Sequence, residues 1–366
     1  MELKLQTMST LKQVLGIDVS LDDCKCNFSV LTEDLSVKVI SSKTFLNTEG
    51  GLKDVQKWVK KFAVADKEIR VVIEASGVYY EHFALGLQQS GFYVSVVLPN
   101  KAKKYMESLG FKSKNDQIDA KGLAQMGCEQ NLGQWTPLSP FFHILRTYTR
   151  LHEDIQQKRT DTINQLHALQ HSALQLKDAI KILESLIKVF DKELKKIMVK
   201  IKAHVEADTE VKAQIDHVCT IKGVGILTAA TIAAETNGFC LFKNIPQLVS
   251  YAGMDVVEDQ SGKRVGQTKI SKKGNSHIRR ILHMPAFNMK TYEVGAMPAL
   301  YERTMKKHGI KMKSYVAIQR KLLILIYTLW KKKEDFKADF HVKKTSGLEE
   351  VETSSRGGLE EPGIAA

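Results

Sequence analysis

Between Phe141 and Lys222 the sequence contains neither glycine nor proline. An interval of that length without the two residues that interrupt helices admits little besides helix. Inside it apolar residues step by three and four: Ile163, Leu166, Leu169, Ala173, Leu176, Ile180, Leu183, Ile187, Phe190, Leu194, Ile197 and Ile201. This heptad seam predicts a coiled-coil region over residues 141–207, as one long helix or as an antiparallel pair. The plainer alternative is an amphipathic helix packed on its own domain. Either way, the rest of the chain must fold on the two sides of this segment.

The N-terminal side reads as mixed α/β. Gln13–Ser20, Cys24–Leu31 and Val37–Ser42 are short runs separated by turns containing Asp and Glu, and they predict a three-strand meander. Leu52–Phe62 has a helical period, and Ile69–Ala75 and Phe92–Leu98 are apolar runs of buried-strand length. Strands first, then helix and strand in alternation, predict an α/β domain with an antiparallel start over residues 11–135. The stretch 131–140, with one glycine and two prolines, marks a linker. On the other side, residues 208–340 predict a mainly helical domain with a glycine-rich middle and a closing helix over Ser314–Lys333. The tail 345–366 has no apolar periodicity and is expected to be disordered.

Charge is distributed unevenly over these segments. The 366 residues carry a net charge of +13. Residues 1–140 hold 17 basic and 16 acidic side chains, whereas residues 211–344 hold 24 and 10. A basic excess confined to one region is the footprint of a polyanion partner. The tail 345–366 is acidic, with one Arg and five Glu. The longest apolar run, Leu322–Trp330, is too short to cross a bilayer, which takes about 20 residues. No signal peptide is visible at the N-terminus. The five cysteines (Cys24, Cys26, Cys128, Cys219 and Cys240) show no zinc-like spacing and read as reduced thiols, so a cytoplasmic location is expected.

Four carboxylates stand out in the first domain. Asp18 lies in the strand-like LGIDVS, Glu74 ends VVIEAS, and Asp116 and Asp119 share one face of the helix-like NDQIDAKGLA. A charge inside or at the end of an apolar strand is costly unless something compensates it. Taken singly, Asp18 reads as a strand-end turn former and Asp116 as a helix cap beside Asn115. Taken together, the four would repel one another and call for a divalent cation, with hard oxygen ligands favouring Mg²⁺ or Mn²⁺. Two such ions about 4 Å apart suit phosphoryl transfer. Strand-Asp, strand-Glu and helix-Asp-x-x-Asp, after an opening meander, form the pattern of ribonuclease H-like, RuvC-like nucleases.

The second domain carries a basic, glycine-rich set. Lys222, Gly223 and Gly225 lie in IKGVG between two helical patterns. This resembles a helix-hairpin-helix, whose turn offers backbone N–H groups to phosphate; a helix–helix turn needing positive φ would use the same glycines. Residues 261–290 hold eight basic side chains and no acidic one. Among them, Lys263, Arg264, Lys272, Lys273, Arg279 and Arg280 are candidate phosphate contacts. Ser261 heads the run in QSGK. Serine–glycine is ordinarily a turn, but a serine among cations could act as a nucleophile whose transition state those cations stabilise.

The motifs GIDVS, IEASG, NDQIDAKGLA, IKGVG, LVSYAGM, SGK and SKKGNSHIRRIL, in this order over roughly residues 11–335, resemble the DEDD-type transposases of the IS110 insertion-sequence family, with its IS1111 relatives. YAGMDVV lacks the proline often found after YAG, and KND replaces the commoner K-T-D; neither departure removes a proposed catalytic group. The resemblance implies a RuvC-like domain, a coiled coil and a C-terminal transposase domain. It also implies Asp18, Glu74, Asp116 and Asp119 as a catalytic, metal-binding tetrad and Ser261 as a nucleophile forming a covalent phosphoserine with DNA. Implied partners are double-stranded donor and target DNA, a bridge RNA, and a second copy of the chain in a dimer or tetramer through the coiled coil. The setting would be a prokaryotic cytoplasm, with action at the nucleoid. Two other readings are set beside it: a metal-dependent RuvC-like nuclease or junction resolvase in which Ser261 is only a turn, and a nucleic-acid-binding scaffold with a structural tetrad.

Overall fold

The computed structural model describes residues 9–110, 116–258, 260–262, 264–266 and 268–337. The chain divides into two compact units between Pro137 and Leu138. The proposed contact Lys263, the possible cap Asn115 and the acidic tail 345–366 lie outside the described residues.

The first unit runs β1 (Thr10–Val19), β2 (Asp23–Thr32), β3 (Val37–Leu46), α1 (Glu49–Lys60), β4 (Ile69–Glu74), α2 (Tyr80–Gln89), β5 (Tyr93–Val97), α3 (Pro99–Ser108) and α4 (Asp116–Glu129). Its sheet has the order β3-β2-β1-β4-β5. The meander pairs antiparallel, while β4 and β5 join it parallel. Strict alternation along β1 and β4 gives the sheet two apolar faces. Leu15, Ile17, Val71 and Ile73 point into one core with Leu52, Val55, Val59, Phe83 and Leu87 of α1 and α2. Val14 and Val72 point into the other, with Ala102 of α3 and Leu123 and Met126 of α4. The sheet is therefore covered on both sides, which is why its central strands read as nearly continuous apolar runs.

The α4 face is packed backbone to backbone. A β-carbon on Gly16 would sit 2.2 Å from the Ala120 carbonyl oxygen and 2.4 Å from the Ala124 nitrogen. One on Gly127 would meet Val14 and Val72 at 2.6 and 2.7 Å. Two glycines, one on the strand and one on the helix, thus set the depth of α4. They also set its direction, because Ala120 lies over Gly16 and Gly127 over Val14. The first turn of α4 therefore faces the carboxyl ends of β1 and β4.

The second unit opens with α5 (Pro140–Gln170) and α6 (Lys177–Glu206). They form an antiparallel hairpin: Arg159 pairs with Asp191 at 2.6 Å, and His204 near the end of α6 stacks on Phe141 at the start of α5. Along the apolar seam anticipated from sequence, Ile197 and Ile201 are buried, and its positions from Ile163 to Leu169 and from Ile180 to Leu194 are half-buried. Ala173 and Leu176 fall in the connection instead. The break needs no glycine or proline because the Ser172 hydroxyl donates to the Leu174 carbonyl and accepts from its N–H, offering the backbone partners outside the helix.

Next come α7 (Thr209–Cys219), α8 (Ile226–Glu235) and α9 (Ile245–Tyr251). Two ribbons follow: β6 (Val256–Val257) pairs with β9 (Lys269–Ile270), and inside that pair β7 (Gln260–Ser261) pairs with β8 (Arg264–Val265). Helices α10 (Ser276–Ile281), α11 (His283–Thr291), α12 (Met297–His308) and α13 (Lys311–Lys332) complete the unit. α8 is buried from Thr228 to Glu235 and serves as the central core helix. The closing helix α13 buries Ile318, Leu322, Leu325, Leu329 and Trp330 against the same core. Trp330 packs on Phe239, and Trp58 on Phe45 in the first unit, so both indoles are packing residues. Among the described residues no helix is long and apolar enough to cross a membrane.

Candidate active site

Register brings the carboxylates of the first unit together. Val14, Gly16 and Asp18 alternate onto the α4 face of β1, and Val72 and Glu74 onto the same face of β4. Gly16 pairs with Val72 and Ile17 with Ile73, so Asp18 and Glu74 end neighbouring strands side by side. α4 begins at Asp116 and reaches the β1 glycine at Ala120, which sets Asp116 and Asp119 at that same end. Asp18, Glu74 and Asp119 are half-buried, and Asp116 is exposed. Four carboxylates from two strands and one helix therefore share one end of one sheet face.

A residue that sequence reasoning did not single out stands among them. Lys25 is the cross-strand partner of Asp18, so the two side chains project from the same face. Its ammonium donates to Asp23 at 2.8 Å. That hydrogen bond, followed by the charges of Asp23, Asp116 and Asp18, raises the Lys25 pKa above its ordinary value. Asp18 and Asp116 thus both act on this one ammonium. Nothing in KCNFS marks Lys25 locally; its signal is the antiparallel register, which becomes visible only once β1 and β2 are paired. Cys24, facing the opposite core, is pushed up to about 12 by burial and is an inert thiol.

The donor set fits a hard divalent cation, being all carboxylate and partly open to solvent. Among the described residues, however, no group of three or more His, Cys, Asp or Glu side chains is drawn together closely enough to hold an ion. The elements are in position, and an ammonium supplies positive charge beside the carboxylates.

In the second unit Ser261 ends β7 directly across from Arg264 of β8. Gly262 follows with φ +56°, the left-handed conformation that a two-residue hairpin turn requires. Ser261 and Arg264 are both exposed. The serine thus stands beside the tip of a short hairpin carried on the β6–β9 ribbon.

The flanking motifs build the base of that ribbon. Gly253 of LVSYAGM has φ +66°, and a β-carbon there would meet Arg279 Nη1 at 2.7 Å. Gly274 of SKKGNSHIRRIL approaches so closely that its β-carbon would lie 2.4 Å from the Tyr251 carbonyl oxygen and 2.5 Å from the Gly253 nitrogen. The two motifs therefore close on each other, glycine against glycine. Asn275 caps α10 by accepting from the Ile278 N–H, and donates to Glu235 at 2.6 Å. Arg279 donates from Nη1 to the carbonyls of Ala252, Gly274 and Asn275. Arg280 and His277 both pair with Glu153 of α5. Lys272 and Lys273 remain exposed beside the ribbon. Of the six proposed phosphate contacts, Arg279 and Arg280 are thus engaged in holding the base, and Lys263 lies outside the described residues.

Beneath this base is a buried carboxylate with no sequence signature, because its partners come from distant helices. The Glu235 side chain is 0% exposed and receives Arg150 Nε and Nη2 at 2.6 and 2.8 Å. Burial pushes the Glu235 pKa up, but the bonds and charge of Arg150 and the bond from Asn275 outweigh it and hold it below the usual carboxylate value.

The IKGVG turn joins α7 to α8. Gly223 has φ +95°, so its glycine is required by the backbone. Gly225 precedes α8 with φ −102° and open space where a β-carbon would be. Lys222 lies over the Tyr292 ring at 5.1 Å.

Comparison with known proteins gives these sites a context. Residues 15–173 match a family model described as "Transposase", of the DEDD class, and residues 215–302 match that of the "Transposase IS116/IS110/IS902 family". The pilin gene-inverting proteins of Moraxella bovis and Moraxella lacunata are each 24% identical over 332 residues, covering 90% of this chain and 99% of theirs. Among solved structures, Thermus thermophilus RuvC, alone and in complex with a Holliday junction substrate, is similar at 13% and 12% identity. Each covers 34% of this chain and 99% of its own, at a TM-score of 0.27. The first unit is an α/β domain built on one five-stranded sheet, and the remainder is mainly helical. With both models matched in chain order and the relatives aligned nearly end to end, the chain belongs to the IS110 family of DNA transposases and recombinases.

Proposed function

We propose that the chain recombines the DNA of an insertion sequence, with a bridge RNA selecting donor and target, through a phosphoserine formed at Ser261 and assisted by the tetrad Asp18, Glu74, Asp116 and Asp119. The observation that carries the reading is the sheet register that sets Asp18 beside Glu74 beneath the first turn of α4. In the reaction the Ser261 oxygen attacks a phosphorus, a Ser–O–P bond forms, and the P–O bond to the departing strand breaks. The departing strand leaves as a hydroxyl, carrying the proton equivalent that serine gives up. A new strand's hydroxyl then reverses the step, so phosphodiester energy is conserved. DEDD-family membership implies a divalent ion, which we take to be Mg²⁺ or Mn²⁺; when bound, it stabilises charge on the phosphate. Asp18, Glu74, Asp116 and Asp119 would hold it. Arg264, opposite Ser261, and Lys272 and Lys273 would hold the strand, with Lys222, Gly223 and Gly225 gripping the backbone further along. Lys263, Arg279 and Arg280 complete the proposed nucleic-acid contacts, the two arginines through the base they brace.

Gene inversion, named for the Moraxella relatives, requires every cut strand to be rejoined. That favours the covalent serine over the alternative of a metal-dependent nuclease or junction resolvase, which leaves free ends. The test is a denaturing gel of the protein with labelled element DNA. A covalent adduct is expected, absent in Ser261→Ala, with recombination abolished in both Ser261→Ala and Asp116→Asn. Full strand exchange by Ser261→Ala would remove the serine from the mechanism. Structured RNA copurifying with the protein would support guidance, and its absence would remove that part alone.

A further inference from the structure

Beside the base of the serine ribbon lies a pocket of about 450 Å³, within the range of roughly 300–1,000 Å³ typical of small-ligand sites. Its floor is apolar: Met254, Ile270, Leu300, Val316 and Ile324, from the base of the ribbon, α12 and α13. Its rim is cationic, with Lys269, Arg303, Lys313, Arg320 and Lys321. Among the described residues no acidic side chain lines it. Among the described residues none of the five cations forms an ion pair. At the mouth, Val256 and Met312 are 58% and 55% exposed.

Each half of this arrangement selects for something. Five uncompensated cations around one opening repel one another, and phosphates relieve that repulsion. Exposed Met and Val at the mouth, above an apolar floor, call for an apolar body. A ligand that brings both is a nucleotide within a strand, its base on the floor and its flanking phosphates on the rim. A base stacked in a duplex has its faces covered, so only an unstacked one can enter. Methionine and branched aliphatic side chains accept a ring without selecting its edge, and among the described residues Thr268 is the one neutral side chain of the lining that can hydrogen-bond. Recognition by shape and charge, with little choice among bases, follows.

We propose that this pocket holds an unstacked nucleotide of a single-stranded segment beside the serine hairpin. The inference rests on the nucleic-acid reading above but not on covalent chemistry at Ser261. The probe is a short single-stranded oligonucleotide carrying one fluorescent adenine analogue that brightens on unstacking, titrated against the full chain. Wild type should brighten it. Ala317→Trp, which fills the pocket from α13, and Arg320→Glu, which reverses charge on the rim, should abolish the brightening. Each should also weaken binding about tenfold, as expected for losing one stacked base. Thermal melts establish that both variants are folded. Unchanged brightening in two folded variants would overturn the proposal. So would brightening seen only in a chain ending at Lys344, because the occupant would then be the acidic segment 345–366. Adduct formation is followed in the same samples. Its loss with brightening intact refutes serine chemistry alone, and the converse refutes the pocket alone.

Discussion

The two candidate sites are built in opposite ways. The carboxylates of the first unit stand on β1, β4 and α4, whose spacing is fixed where Gly16 meets the α4 backbone and Gly127 meets the side chains of Val14 and Val72. The serine of the second unit stands on a two-residue strand, exposed, at the end of a ribbon whose longest ladder is equally short. One site is held by burial, and the other by a clamp at its base. The charge difference runs alongside: near neutrality around the proposed cation site, and a large positive excess around the proposed phosphate contacts. A metal site needs ligands fixed to within a fraction of an ångström. A nucleophile that must reach into a bulky substrate is better placed on a projecting element.

Several substitutions would break or sharpen this contrast, and the largest effects are chemical. Asp116→Asn and Ser261→Ala should each reduce recombination by on the order of 10⁴-fold or more, as for members of one catalytic unit. Neither touches a core, so thermal unfolding should stay close to wild type. If the two inactive proteins regain activity when mixed, the sites are shared between copies of the chain; if not, each copy uses its own pair. Next comes Arg150→Ala, which strands the Glu235 carboxylate beneath the serine base. A loss of about 3 kcal/mol is expected, at the low end for a broken buried pair because Arg150 is itself 41% exposed. Denaturant unfolding measures it.

The same pair sets a pH dependence. Glu235 has a folded pKa below its ordinary 4.5. Its stabilising contribution is therefore complete above that ordinary value and is lost as pH falls through the folded one. Glu235→Gln should flatten the acid limb of the stability curve, and an unchanged limb would exclude the pair as its source. Gly16→Ala should cost about 2 kcal/mol by forcing α4 off the sheet, and should impair the tetrad while leaving the serine base intact. The smallest effects separate the two turn glycines. Gly223→Ala should cost about 1 kcal/mol because of its positive φ, whereas Gly225→Ala should stay within about 0.5 kcal/mol. Equal costs would show that Gly225 has a steric role its open surroundings do not suggest.

Sequence made some of this legible and hid the rest for identifiable reasons. Alternation revealed the strands because both sheet faces are buried, and Asp18 and Glu74 stood out because charge interrupts those apolar runs. Chain order did not reveal Lys25, since an unremarkable lysine acquires meaning only from the strand opposite. Glu153 and Glu235 were hidden because their partners His277, Arg280, Asn275 and Arg150 are brought in by tertiary packing. The choice between one long helix and an antiparallel pair stayed open in sequence because a hydroxyl at Ser172, not a glycine or proline, marks the break. The SKKGNSHIRRIL run read as phosphate contacts because cations cluster there. Arg279 instead spends its donors on carbonyls, with a pKa lowered by burial. A positively charged string of sequence does not say which of its charges face outward.

The closure of Gly253 on Gly274 has a further consequence. It fixes both ends of the segment between them, and that segment contains the ribbon and the serine hairpin. Once a loop's ends are pinned, its length becomes a weak variable: each doubling adds only about 0.6 kcal/mol of closure entropy. The hairpin tip can therefore lengthen, shorten or accept an inserted peptide while the helices beneath it stay folded. An engineer seeking to alter how far the serine hairpin projects would begin at Gly262.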